Sequence, residues 1–163
     1  MKLLLALILL FLAAAPAHAA PEGPLSLYFP SADSVYLVRV VSVDKNTVTF
    51  SVTEALRGAP VATLTLTARE VTFKKDTEWM LLSAPGWRDG QDKDVVGDFM
   101  EGRCGWIFAG VKRDGATTYV AGGALENGKF TGDKVDEAGG QSWLTLGHFK
   151  HLLNTTPLKT TSN

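Results

Sequence analysis

From Ser34 onward the chain falls into short apolar-rich runs, two of them strictly alternating, set apart by polar turns. Ser34 to Asp44 runs S-V-Y-L-V-R-V-V-S-V-D, dense in the β-branched and aromatic side chains that suit a pleated, half-buried surface. Asp44-Lys45-Asn46 is a polar turn. Thr47 to Ala55 then alternates strictly, with Val48, Phe50 and Val52 on one face and Thr47, Thr49, Ser51 and Thr53 on the other. A period of two marks a strand with one buried face, and two such runs around a short polar turn predict a hairpin. Arg57-Gly58-Ala59-Pro60 breaks the pattern, and Val61 to Ala68 resumes it with Leu64 and Leu66 opposite Thr63, Thr65 and Thr67. Phe73-Lys74-Lys75-Asp76 reads as a second polar turn. Glu78 to Ala84 (E-W-M-L-L-S-A) is nearly continuous in apolar residues. It is short and closed by Pro85-Gly86, which predicts a central strand rather than a helix.

Trp87 to Gly102 reads as a long polar loop rich in Gly and Asp; loops of that length are uncommon and often functional. Cys104 to Val111 reads as another strand. Thr117 to Ala121 and Lys129 to Thr131 read as shorter ones around Glu126-Asn127-Gly128, where Asn-Gly favours a tight hairpin turn. At Ser142 the period changes. Ser142 is a helix-capping residue type, and Trp143, Leu146, Phe149 and Leu153 recur at three- and four-residue steps as one apolar stripe. Gly147 within it costs about 1 kcal/mol relative to Ala, so the helix is expected to dock on the sheet. The expected organisation is a leader at 1–19, an extended lead-in at 20–33, one β-rich domain with its C-terminal helix at 34–154, and a frayed tail at 155–163.

The leader rests on its own pattern. Lys2 precedes an unbroken apolar run from Leu3 to Ala15, then Pro16, then Ala17-His18-Ala19. This is the order of a secretory signal cleaved after a small-x-small site. The run is shorter than the ~20 apolar residues of a spanning helix, so no membrane span is expected after cleavage. What remains, roughly 140 residues, fits one domain and can bury a core without staples.

Charge and cysteine narrow the function. The chain carries 16 Lys+Arg against 17 Asp+Glu, and losing Lys2 makes it more acidic. A nucleic-acid binder needs a basic field, so nucleic acid is not expected as a partner. Cys104 is the only cysteine, which rules out an intrachain disulfide. Free cysteine behaves as a small buried hydrophobe, and a packed thiol is expected. A compact signal without disulfides fits a bacterial periplasmic or secreted protein.

The stretch Ala32 to Gly58, A-D-S-V-Y-L-V-R-V-V-S-V-D-K-N-T-V-T-F-S-V-T-E-A-L-R-G, resembles the opening of the TIMP-like OB-fold, or netrin-module, proteins. In that family an Ala-Asp pair leads into a first strand, and the second strand ends in V-x-E-x-L-K-G. Here the phrase reads Val52-Thr53-Glu54-Ala55-Leu56-Arg57-Gly58. Glu78-Trp79-Met80-Leu81-Leu82 resembles a later strand of the family, and Arg103-Cys104-Gly105 its Cys-Gly step. The resemblance implies a mainly β fold: an OB-fold-like five-stranded barrel with extra hairpin strands and a C-terminal α-helix. It also implies a role in binding. Members that inhibit metalloproteinases grip the zinc through an N-terminal cysteine, and this chain has none near Ala20. The expected function is therefore a non-enzymatic binding protein, with protease inhibition without zinc chelation as the alternative.

Candidate chemistry is sparse. The loop residues Trp87, Arg88, Asp89, Asp92, Asp94, Asp98 and Glu101 form the candidate contact surface, for another exported protein or else a glycan or small molecule. Exposed aromatics such as Trp87 can stack a sugar or anchor a partner. The acidic loop does not fit an EF-hand: a frame begun at Asp92 puts Val96 at a ligand position and Arg103 where the closing Glu belongs. His148 and His151 share a helical face but lack companion ligands, and no cofactor or metal is expected. Cys104 as a nucleophile with a distant histidine is a third reading, and none of the familiar catalytic motifs supports it. Trp79, Trp106 and Trp143 read as core. Asn154-Thr155-Thr156 matches a glycosylation acceptor, relevant only to a eukaryotic secretory route.

Overall fold

A computed structural model describes residues 25–89, 92–97, 104–121, 125–126, 129–130 and 143–159. After a 3-10 turn at Leu25–Tyr28, the chain forms β1 (Ser34–Asp44), β2 (Thr47–Arg57), β3 (Thr63–Ala68), β4 (Glu78–Ser83), the single turn α1 (Pro85–Arg88), β5 (Val95–Val96), β6 (Trp106–Asp114), β7 (Thr117–Ala121), β8 (Leu125–Glu126), β9 (Lys129–Phe130), β10 (Trp143–Thr145) and α2 (Leu146–Thr155). The fold is mainly β with a C-terminal helix, as expected. Among the described residues no helix is long and apolar enough to cross a membrane.

Eight strands form one sheet in the order β10-β7-β6-β4-β1-β2-β3-β5, and β5 pairs again with β6. The sheet therefore curls into a partial ring, β1-β2-β3-β5-β6-β4. The two links through β5 are parallel, Thr67↔Val95 and Ala68↔Val96 on one side and Val96↔Trp106 on the other. Where a five-stranded barrel was expected, the ring includes a sixth, two-residue strand. Register shifts in the β1–β2 ladder at Val35/Tyr36, Leu37/Val38 and Val40/Ser42 bend the pair, as bulges do.

The parity of β1, β4 and β6 divides the apolar side chains into two cores. Tyr36, Val38, Val40, Trp79, Leu81, Trp106 and Phe108 point into the ring with Val48, Phe50 and Phe73. Val35, Leu37, Met80, Leu82, Ile107 and Ala109 point outward, beneath Leu25, Phe29, Phe149 and Leu153. Burial on both faces explains why Glu78–Ser83 lacks alternation: every residue after Glu78 is buried. Fully burying each such side chain is worth about 1.5–3 kcal/mol.

Several local expectations change. The described part of the lead-in is not extended, since Leu25–Tyr28 is a 3-10 turn, and Leu25, Phe29 and Ala32 are fully buried in the outer core. Phe73 is not part of a polar turn. It is buried and meets Phe50, Trp79 and Phe108 edge-on at 5.2, 5.1 and 5.7 Å; the turn proper is made by Lys74–Asp76, with Asp76 at φ 66°. The strand after the long loop is Trp106–Asp114 rather than Cys104–Val111. Trp143 lies in β10, and α2 begins only at Leu146, capped by Thr145 Oγ1 accepting from the His148 N–H at 3.2 Å. Ser142, the expected cap, and Asn127-Gly128 lie outside the described residues. The tail is anchored at Lys159, whose N–H donates to the Pro30 carbonyl at 2.7 Å.

Candidate functional site

The connection from Pro85 to Gly105 carries the sequence-predicted contact residues, and the fold holds it at both ends. Pro85 starts α1 with its fixed φ, and the Trp87 and Arg88 N–H groups donate to the Ala84 carbonyl at 3.0 and 3.2 Å. This turn aims Arg88 at Asp33, at the mouth of β1. The pair is bidentate, Nη1 to Oδ1 at 2.8 Å and Nη2 to Oδ2 at 2.7 Å, and Ser34 Oγ donates to Asp33 Oδ1 at 2.9 Å. Partial burial pushes the Asp33 carboxyl upward, but the hydrogen bonds from Arg88 and Ser34 and the Arg88 charge outweigh it and hold the pKa below the ordinary value. Trp87 is half-buried, packs against the outer core and meets Tyr28 edge-on at 6.0 Å.

The second hold is at Asp92. Arg69, just past β3, reaches both carboxylate oxygens, at 3.1 and 2.9 Å. The Asp92 carbonyl accepts from the Val95 and Gly105 N–H groups at 3.0 and 2.9 Å, and the Asp94 carbonyl accepts from Thr67 N–H at 2.8 Å. Gly105 permits this closeness: a Cβ there would lie 2.1 Å from the Lys93 carbonyl oxygen. The expected open loop Trp87–Gly102 thus holds the end of α1 and all of β5.

Among the described residues the acidic side chains are not gathered. Asp33 and Arg69 hold Arg88 and Asp92, while Asp89 and Asp94 are exposed with Lys93 between them in sequence. Asp98 and Glu101 lie outside the described residues. Among the described residues no three His, Cys, Asp or Glu side chains group as a metal site. His151 is exposed and His148 half-buried on α2. Cys104 is buried, and a Cβ built at Gly97 would sit 3.0 Å from its Sγ. A shallow cleft of about 310 Å³ lies between the β6–β7 turn and the start of α2, lined by Thr117, Thr118, Thr145 and Lys150. Lys150 is paired there with Glu54, at 2.6 Å.

A highly connected polar group is one that sequence reasoning passed over. Arg57 Nη1 donates to the carbonyls of Phe29 at 2.7 Å and Ala32 at 2.9 Å, and Nη2 donates to those of Leu153 and, at 3.0 Å, Thr156. One guanidinium thus joins the lead-in, the end of β2 and the C-terminus of α2, where a cation also suits the helix dipole. Burial lowers its pKa from the usual arginine value. The neighbouring residues of the same phrase serve the same junction. Glu54 pairs with Lys150 of α2, Leu56 packs on the outer core, and Gly58 turns at φ 94°. A Cβ at Gly58 would lie 2.9 Å from the Asp33 carbonyl oxygen. The available signal was the arginine itself, set beside a glycine at a strand end.

The chain matches no protein-family model, no curated protein and no solved structure.

Proposed function

We propose that the chain is an exported, non-enzymatic binding protein with a TIMP-like OB-fold, working in the bacterial periplasm or outside the cell. Its contact surface is the α1-to-β6 connection, and its partner is another exported protein. The observation that supports this reading is the double hold on the connection, Arg88–Asp33 at its start and Arg69–Asp92 just before β5. A segment fixed to a rigid sheet pays little ordering entropy on binding. Next to these holds it offers Asp89, Lys93 and Asp94 to solvent.

Deleting the whole connection would remove β5 and open the ring. The informative variant is instead the triple change Asp89→Ser, Lys93→Ser and Asp94→Ser, compared with the wild type by crosslinking capture in the export compartment. Loss of a dominant protein partner with unchanged circular dichroism and melting is the expected result. Undiminished capture by the variant would remove this surface from the role. A captured protease, inhibited in titration, would turn the reading into protease inhibition. A wild type that captures no protein would overturn the protein-partner reading in favour of a glycan or small molecule.

A further inference from the structure

Among the described residues the ring is closed at one end of β3 only. The Val52 N–H donates to the Ala62 carbonyl, and the Ala68 N–H to that of Asn46, both toward the β1–β2 hairpin. The Thr67 and Arg69 N–H groups instead donate away from it, to Asp94 and Val96. With the regular β2–β3 register from Thr47↔Thr67 to Ser51↔Thr63, odd-numbered residues of β3 direct their backbone groups away from β2. β5 covers that side only at Thr67 and Ala68. Thr63 and Thr65 therefore direct N–H and C=O groups to an open edge, with no strand beside them among the described residues.

Natural sheets blunt such edges with charges, prolines within the strand, or bulges. This edge has none of these. No charged residue occurs from Gly58 to Ala68, and Pro60 precedes the strand. Thr63 and Thr65 are exposed, and Leu64 is half-buried.

We propose that the β3 edge is a self-association site, where two copies of the chain pair antiparallel about a two-fold axis at Leu64. In that register Thr63 of each copy opposes Thr65 of the other. Each is a hydrogen-bonded pair exchanging both backbone bonds, and Leu64 meets its mate in the close, non-hydrogen-bonded position. The segment Thr63-Leu64-Thr65 is symmetric about its centre, so a second copy satisfies it as well as any guest strand. The absence of charge means self-pairing brings no like charges together across the axis. The isologous contact uses each copy's edge once, so assembly stops at the dimer. A single strand pair is a small contact, which makes the dimer transient. This inference is independent of the proposed partner surface.

The test is sedimentation equilibrium of the purified protein from low micromolar to near-millimolar concentration, with amide hydrogen exchange measured across the same range. The expected result is a monomer–dimer equilibrium in which the Thr63 and Thr65 amides gain protection as concentration rises. Thr65→Pro removes an outward N–H without touching the β2 ladder, the one situation in which a strand tolerates proline, and weakens the dimer about tenfold or more. Thr65→Lys, which places like charges near the axis, acts in the same direction and serves where the proline variant fails to fold. A wild type that stays monomeric throughout would overturn the proposal. So would a dimer that survives both substitutions, or association that leaves the Thr63 and Thr65 amides unprotected.

Discussion

The inner and outer cores occupy opposite faces of the same three strands, yet they are assembled from different parts of the chain. The inner core is aromatic and mostly local. Phe50, Phe73, Trp79 and Phe108 pack edge-to-face with centroids 5.1 to 5.7 Å apart, and its members come from β1 to β6 and their connections. The outer core is largely aliphatic and depends on the chain ends. Leu25 and Phe29 from the lead-in meet Phe149 and Leu153 from α2, and Phe29 lies edge-on to Phe149 at 5.1 Å. Among the described residues no β-ladder joins those two ends; Arg57 does, by donating to carbonyls of both, and the Lys159–Pro30 hydrogen bond adds a second tie. The inner face is therefore secured by packing among neighbouring strands. The outer face is secured by a lid whose chief polar tie is Arg57.

That contrast can be broken at either side. Phe73→Ala removes the ring at the centre of the aromatic cluster and should cost about 3–5 kcal/mol, read by urea unfolding as a lowered midpoint for the whole domain. A loss below about 1 kcal/mol would mean the inner core does not depend on that cluster. Arg57→Met should cost less, about 2–3 kcal/mol, because it removes charged-donor hydrogen bonds while keeping much of the side-chain volume. Its distinguishing mark is local. Hydrogen exchange should quicken in α2 and at Ala32 while β1, β2 and β4 keep their protection. Uniform quickening would merge the two cores into one cooperative unit.

The smallest effect sharpens the comparison through pH. Glu78 receives Arg113 Nε at 2.6 Å and Nη2 at 3.0 Å, and Arg39 Nη2 at 3.1 Å, tying β1 and β6 to β4. The Arg113 hydrogen bonds are the largest influence; with those of Arg39 and both positive charges they outweigh burial, and the carboxyl sits below its ordinary pKa. Asp33 lies low for a related reason. A carboxyl whose folded pKa is depressed stabilises fully above its unfolded pKa. That contribution fades as pH falls from the ordinary carboxylate range through the folded pKa. Stability should thus hold from neutral pH down to about pH 4–5 and then decline. Glu78→Gln should cost about 0.5–1 kcal/mol at neutral pH, given its exposed arginine partners, and should flatten the acid decline. An unchanged acid limb in that variant would show that other groups set it.

The candidate contact surface was legible in part. The long polar connection stands out between Pro85-Gly86 and Cys104, and its charged residues can be read off directly. Which of them are available to a partner could not be. Arg88 and Asp92 look as free as Asp89 and Asp94 until Asp33 and Arg69 are placed beside them, and those partners lie 55 and 23 residues away. Phe73 was misread for a similar reason. Two lysines beside it mimic a turn, and only the ring shows that its side chain points inward. Trp143 was assigned to the helix because its spacing to Leu146 fits one, yet pairing with Ala121 makes it a strand residue.

Local pattern by itself determined the β1–β2 hairpin and the alternating β3, the central place of β4 through its unbroken apolar run, and the closing helix through a change of period. Side-chain direction along a strand is local geometry, set by the two-residue pleat. Tertiary structure alone decided the rest. It placed two-residue β5 within the ring, divided one apolar run between two cores, and made Arg57 the junction of the chain ends. A two-residue strand is too short to carry a period. Likewise, a guanidinium finds its carbonyls only after distant segments have been brought to it.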